Sequence, residues 1–419
     1  MLYRPGLQTS YEQQNQLLPS WTLKVAMGLF AVALFLMPFD LPVISQIPFI
    51  RFLGDSDWMR PVSMTLVFLI ASLGLHLLTG LAGQVSLGIA FFMGVGAYTG
   101  AVLGGEGTGS VWGLGLPIWI WLPGAGIGAA LVGILVAPVA VRLRGLYLAI
   151  VTLGLVFIGI HLANTDLGRK AAGDPSLGRN FPSFDIRIWK ETDPLVDMSS
   201  DGKWLWFEVD ENVKVYFFLL VLAIGFLFVT LNLGRTRTGR AFRAIRDRDV
   251  AAEMMGVGEF KYKTIAFATS SFFAGIAGIC FASLNGKVPA TVWSLFLSVE
   301  IVAILLIGGI GTVLGTVLGA VFVVLGPPLI EQWTEWLSDQ QGSSGVTGAV
   351  ADAILTSGSG DRGAIATGSQ SPGWPLNVFD WNVAIFGLLV VVFLIFEPRG
   401  LYGIWLRVKN YWKRWPFSH

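Results

Sequence analysis

The chain has 419 residues, of which 54% are hydrophobic and only 13% carry a charge. A soluble domain is roughly a quarter charged, so this composition excludes a water-exposed globule and indicates a chain immersed in lipid. A formal net charge of +1 leaves no excess of basic residues to neutralise phosphates, which excludes a nucleic-acid partner. The single cysteine, Cys280, cannot close an internal disulfide. His76, His161 and His419 stand far apart, without metal-ligand spacing, and no cofactor is implied.

Residues 1–20 are polar, with Gln8, Glu12, Gln13, Gln14 and Gln16, and read as a cytoplasmic N-terminal segment. The first apolar run, Val25 to Phe39, ends without a small-residue cleavage pattern and reads as a retained helix. A spanning helix needs about 20 mostly apolar residues. On that basis the candidate spans are Trp21–Pro38, Pro61–Leu78, Ser86–Leu103, Ile118–Val139 and Leu146–Asn164, followed by Val213–Leu233, Thr264–Leu284, Trp293–Ile307, Thr312–Ile330 and Val383–Phe396. They delimit a transmembrane domain over residues 21–396 and leave a basic cytoplasmic tail over 397–419. The fold expected is an all-α, polytopic transmembrane helix bundle of about ten spans with both termini cytoplasmic.

The charge pattern supports that orientation. Most of the 28 Lys and Arg fall in the N-terminal segment, at Arg142 and Arg144, in the run Arg235 to Lys263, and in the tail. Basic residues concentrate on the cytoplasmic side. Arg51 and Arg60 dissent mildly. Residues 165–212 then form a long, net acidic external loop, rich enough in Trp and Phe to fold over the membrane surface. Residues 331–382 form a second external loop. Its Ser338–Pro375 stretch is rich in Gly, Ser, Thr and Ala and is expected to be flexible. Eight tryptophans, Trp21 and Trp405 among them, fall near predicted helix ends, where an amphipathic ring prefers the membrane interface.

Within the spans, few residues can carry chemistry. Gln84 and Ser86 follow a Gly80–Gly83 break at the start of the third span. A broken helix frees backbone groups, tolerated at membrane depth only where protein or a water-filled cavity satisfies them. Gln84 and Ser86 could hydrogen-bond a zwitterionic solute, or simply line a re-entrant bend. Gly96, Gly100, Gly311, Gly315 and Gly319 include G-x-x-x-G pairs and read as helix-packing positions. Glu300 is a carboxylate well inside a predicted span, which marks either a functional site or a helix end. Lys24 can snorkel to the cytoplasmic face. His76 and His161 could line a pore or bond within the bundle.

The cytoplasmic loop, residues 234–263, reads as a short amphipathic helix. Thr238 is its expected N-cap, and Gly256 with Gly258 its stop. At about 100° per residue, Ala241, Phe242, Ile245 and Ala252 share an arc flanked by Arg243, Arg246 and Arg248. Such a helix suits docking on a soluble partner, or is a solvated loop that only enforces topology. Gly234–Arg240 lacks the Lys and the following hydroxyl of a phosphate-binding loop. Any ATP hydrolysis therefore belongs to another chain.

Four stretches, taken in order, resemble the permease subunits of branched-chain amino acid ABC importers, and in particular the longer of the two permease types. They are GLAGQVSLGIAFFMGVGAYTGAV (Gly80–Val102), GLYLAIVTLGLVF (Gly145–Phe157), the AFRAIRDRDVAAEMMGV core with its SSFFAGIAG continuation (Gly239–Ala282), and EIVAILLIGGIGTVLGTVLG (Glu300–Gly319) followed by FEPRGLYGIW (Phe396–Trp405). The resemblance implies a multi-pass subunit of the bacterial inner membrane and no catalysis by this chain. Its implied partners are a second permease subunit, two cytoplasmic ATPase subunits and an external solute-binding protein. The 234–263 loop would couple permease to ATPase through Arg240, Phe242, Arg243, Ile245, Arg246, Ala251, Ala252, Glu253 and Gly256. Here Ala251, Ala252 and Glu253 replace a clean E-A-A order. Two features depart from the family pattern, the long 165–212 loop and the Gly/Ser-rich insert before the last span. The substrate stays open among branched-chain amino acids, urea and short amides. The rival reading is a secondary transporter driven by protons or sodium, with Glu300 as proton carrier.

Overall fold

The computed structural model describes residues 58–143, 145–187, 207–339 and 400–414, with short pieces at 25, 32–39, 197–198, 202–204, 355–356 and 365–366 and scattered positions between 384 and 397. The expected spans Trp21–Pro38 and Val383–Phe396 fall largely outside the described residues, as does most of Ser338–Pro375. Leu355–Thr356 and Ile365–Ala366 form a short parallel strand pair.

The bundle begins with α1 (Met59–Leu75), which widens into a π-helical turn at His76–Leu81 before the chain unwinds. Helix α2 (Ile89–Gly104) follows, then a β1–β2 hairpin (Glu106–Thr108 and Val111–Leu114), α3 (Ile118–Arg142), α4 (Leu146–Asn164) and the short α5 (Asp166–Ala172). After the strands β3 (Arg179–Asn180), β4 (Gly202–Trp204) and β5 (Phe207–Val209) come α6 (Glu211–Arg235), α7 (Arg237–Met254) and α8 (Glu259–Asn285). Strand β6 (Lys287–Val288) leads to α9 (Leu295–Gly308), α10 (Val313–Asp339) and α11 (Gly400–Arg414). Among the described residues, 7 stretches are long and apolar enough to cross a membrane: α1 with its π-helical turn, α3, α4, α6, α8, α9 with the turn before it, and α10. Helix α2 is apolar but has only 16 residues, because the chain from Ala82 to Gly88 is not helical.

Helix α8 is the central column, buried along most of its length and packed against α1, α2 and α3. Glycine makes that approach possible. A Cβ on Gly96 would overlap the backbone of Gly275, and one on Gly278 would overlap the carbonyl of Met93. Lipid tails give helices no hydrophobic reason to associate, so close van der Waals contact of small residues takes over. Gly100 lies against Ile279 in the same seam. Helices α9 and α10 repeat the device, with Gly315 and Gly319 stacked on Gly308 and Ile304. Gly311, expected in this packing set, lies instead in the turn between the two helices with φ 88°. By contrast, α4 and α6 present exposed rows such as Ile150, Phe157 and Ile158, or Val221, Phe228 and Val229. Those rows are lipid-facing surface.

The two ends of the bundle differ. At one end, β3 pairs with β6, so the 165–212 loop is sewn to the α8–α9 connection. Arg179 locks this end. It is buried, and its guanidinium donates to the carbonyls of Ala171 (2.8 Å), Ala101 (2.9 Å) and Trp112 (3.0 Å). Its cation thus meets the negative ends of α5 and α2. At the other end lie α7, the α9–α10 turn and α11, whose first residue Gly400 packs against Ile307 and Gly309. The tail expected only to be basic is a helix, with Arg407 pairing with Glu397. Its Leu401, Trp405 and Val408 recur at helical spacing, which gives α11 an apolar side.

Overpacking a tight glycine seam costs about 1–3 kcal/mol. Gly96→Val should lower the melting temperature in detergent by several degrees. Gly225→Ala, which meets nothing within 4 Å on the exposed side of α6, should leave it unchanged or raise it.

Candidate functional site

The site is the stretch where α1 gives way to α2. Gly83 adopts φ 71°, a left-handed conformation that suits glycine. The unwound backbone is then satisfied piece by piece. The Gln84 N–H donates to the Leu78 carbonyl at 3.1 Å, and the Thr79 hydroxyl donates to the Gln84 carbonyl at 2.9 Å. Ser86 Oγ, 2% exposed as a residue, accepts from the Gly88 N–H at 3.3 Å. Two longer-range acceptors contribute as well. Thr152 Oγ1 on α4 accepts from the Leu87 N–H at 3.0 Å, and Ser298 Oγ on α9 accepts from the Ala90 N–H at 3.1 Å. Neither Thr152 nor Ser298 stands out in the sequence. The available signal was a lone hydroxyl in an otherwise apolar run, which says little until the partner is known.

The side chains of the break are less well served. Gln84 is 5% exposed, and its amide nitrogen and oxygen both lack a hydrogen-bond partner among the described residues. His76 Nδ1 is likewise buried and unpartnered. A buried polar group left unpaired costs about 1–3 kcal/mol. Glu300 does not join this group. It lies two residues beyond Ser298, roughly 200° further round α9, half-buried and without a hydrogen bond or ion pair among the described residues. The structure therefore brings Gln84, Ser86, Thr152 and Ser298 together and leaves Glu300 on another face.

An apolar cavity of about 570 Å³ lies between α2 and α4, its lining starting at Phe91 and including no residue of the break itself. Phe91, Val95, Val102, Ile160 and Trp293 line it. Its polar points are Thr99 and the Tyr98 hydroxyl, which accepts from Trp293 Nε1 at 3.1 Å.

Helix α7 lies under the break. Its N-cap is Thr236, whose hydroxyl accepts from the Gly239 N–H at 3.4 Å; the expected cap, Thr238, lies inside the helix. The helix is kinked at Arg248 (φ −158°, ψ 101°) and ends before Gly256, which has φ 84°. The apolar arc read from the sequence turns inward: Phe242 is 0% exposed, and Ala241, Ile245 and Ala252 are buried with it. Phe242 and Ile245 therefore seat the helix on the bundle and cannot touch a soluble partner. Arg240 donates back to the Arg235 carbonyl at 3.2 Å. Arg243 donates to the Gly234 carbonyl. Arg246 reaches furthest. It donates to the Gly80 carbonyl at 2.6 Å and passes so close to Gly83 that a Cβ there would lie 2.5 Å from Arg246 Cγ. The surface left outward past the kink holds Val250, Ala251, Glu253, Met254 (84% exposed) and Met255 (85% exposed). The two methionines were missed in the sequence, where an apolar pair beside a predicted helix end resembles core.

Helices long enough to span a bilayer, packed around a broken one whose gap is braced from neighbouring helices, define a multi-pass membrane transport protein. The comparisons narrow the class. Residues 60–394 match the family described as the branched-chain amino acid transport system permease component. The chain belongs to that family. The high-affinity branched-chain amino acid transport system permease protein LivM of Salmonella typhimurium is 32% identical over 288 residues, covering 65% of this chain and 64% of LivM. LivM of Escherichia coli matches over the same 288 residues at 32%. A shorter match, 34% over 142 residues, covers 31% of this chain and 43% of LsrC, the autoinducer 2 import system permease protein of Photorhabdus luminescens. The chain thus spans 64% of the length of the LivM relatives. No solved structure matches it.

Removing an acceptor from the break leaves a buried N–H unpaired. Ser298→Ala and Thr152→Val should each destabilise the protein by about 1–3 kcal/mol, read as a lowered melting temperature in detergent. Gly154→Ala, two residues along α4 from Thr152 with nothing within 4 Å, should have little effect.

Proposed function

We propose that this chain is one of two permease subunits of an ATP-binding-cassette importer in the bacterial inner membrane, carrying branched-chain amino acids by alternating access. The single observation behind the reading is the family match over residues 60–394, joined to a basic helix that is anchored in the bundle and exposes an apolar tip. In this reading the α7 end is cytoplasmic, in agreement with the basic residues of α7 and α11. The Arg179 end then faces a solute-binding protein outside the cell.

The chain itself performs no chemistry. Two partner ATPases grip the outward surface of α7, with Val250, Met254 and Met255 as the apolar contact and Ala251, Glu253 and Gly256 beside them. Met suits such a surface because its flexible thioether packs against irregular partners. Closure of the ATPases moves α7, and Phe242, Ile245 and Arg246 carry the displacement into the bundle. Arg246 delivers it to Gly80 and Gly83, immediately before Gln84. The Gln84 amide, without a hydrogen-bond partner among the described residues, is the group that offers hydrogen bonds to the zwitterionic end of a solute. The apolar cavity between α2 and α4 suits a branched aliphatic side chain.

Two experiments test the reading. Met254→Asp combined with Met255→Asp should weaken ATPase co-purification at least about tenfold, the effect of losing roughly 1.4 kcal/mol of binding, while the chain still inserts in the membrane. Undiminished co-purification would remove the assigned contact. Leucine uptake into proteoliposomes holding the full complex should cease without internal ATP and survive a protonophore.

The rival ion-coupled reading rests on the half-buried carboxylate of Glu300, which has no ion pair among the described residues. It predicts the opposite: uptake without ATP, abolished by the protonophore and by Glu300→Gln.

A further inference from the structure

A second cavity, of about 330 Å³, lies where α6 ends, α7 begins and the π-helical turn of α1 closes. Its lining includes His76, Thr230, Leu231, Arg235, Arg243 and Arg246, and no carboxylate is among its lining residues. The way these arginines are satisfied matters. Arg243 donates to the carbonyl of Gly234, and Arg246 to the carbonyl of Gly80. Carbonyls satisfy the hydrogen-bonding geometry of a guanidinium but do not neutralise its charge. The acidic group near Arg246, Asp247, is an exposed neighbour in sequence at 3.4 Å. A surface pair of that kind is worth little. His76, also in the lining, keeps a buried ring nitrogen without a partner among the described residues. A hollow lined by guanidinium groups and by no carboxylate calls for an anion.

We propose that this cavity binds the phosphate of an anionic phospholipid headgroup. Phosphate matches guanidinium in charge and in fork geometry. A free phosphate would satisfy the same chemistry, but the position favours a lipid. Arg235 is the last residue of a spanning helix, so the cavity sits at headgroup depth. Leu81, Leu231 and Val313 give it apolar walls. Phe228 and Val229, one to two turns back along α6, are exposed apolar side chains along which acyl tails can run. Basic pockets between membrane helices bind anionic headgroups in this way. The bound phosphate would bridge the end of α6, the arginines of α7 and the turn just before the broken helix. It would stiffen the joint between arm and bundle, whichever solute is carried.

The test is native mass spectrometry of the full-length protein in mild detergent, titrated with phosphatidylglycerol, with phosphatidylcholine of the same acyl chains, and with inorganic phosphate alone. The expected result is retention of phosphatidylglycerol over phosphatidylcholine by at least about tenfold, or roughly 1.4 kcal/mol, undisturbed by inorganic phosphate. Arg243→Gln should abolish that preference, and Arg243→Lys, which keeps the charge, should retain most of it. Arg237→Gln removes the same charge from an exposed position outside the cavity and should change nothing. Equal retention of the two lipids would overturn the proposal in the unaltered protein, with no variant needed. So would an equal loss in Arg237→Gln, which would assign the effect to overall charge. Displacement of phosphatidylglycerol by inorganic phosphate would overturn the lipid as the occupant and leave a free anion.

Discussion

Between Ala82 and Gly88 the main chain leaves the helix beside buried residues such as Gln84 and Ser86, and a buried N–H released there needs an acceptor nearby. The rest of the architecture follows from how that need is met. Part is met locally, by the carbonyl of Leu78. The Leu87 and Ala90 N–H groups are met by Thr152 and Ser298, which sets α4 and α9 against the start of α2. A break that needs acceptors from two other helices holds those helices in register. It also leaves the Gln84 amide buried with no hydrogen-bond partner among the described residues.

The arm under the bundle is organised around the same place. Helix α7 buries Phe242 and Ile245 and extends Arg246 to Gly80, so its inner half is fixed to the residues that precede the break. Its outer half departs at the Arg248 kink and carries the exposed methionines. One short helix therefore has two ends with different surroundings, one joined to the bundle and the other bare. Arg246, with Gly80 and Gly83, is where the fixed half meets the residues before the break. The glycines matter because a side chain at Gly83 would displace Arg246.

Packing elsewhere divides the molecule into firm and loose parts. Helix α8 is pressed against α2 and α3 through backbone-to-backbone glycine contacts, which admit little sliding without overlap. Helix α4 is mostly exposed and bounds the apolar cavity on its far side. It touches the core through Thr152 and little else of polar character. At the opposite end from α7, the Arg179 latch fastens the β3–β6 pair over the bundle. The α2–α4 seam is the loosely packed one, where a cavity separates the helices.

The sequence by itself determined the class of protein and the position of its spans. Apolar runs of bilayer length have no other stable environment, and eight of those predicted meet a helix among the described residues. It also pointed to a break near Gly80–Gly83, which the structure sets at Ala82–Gly88, and to the arm with its apolar arc, since helical periodicity is local. The family too was legible, because its motifs are strings of neighbouring residues. Only the tertiary structure decided which way each residue acts. Phe242 and Ile245 could equally have faced a partner or the bundle. Gly311 has the spacing of a packing glycine yet forms a turn. Thr152 and Ser298 lie 146 positions apart, and nothing in either run says that both close the same gap. Pairings between distant residues depend on which helix faces meet. That choice is made by side-chain volume and glycine contacts across the whole bundle, and no local window of sequence contains it.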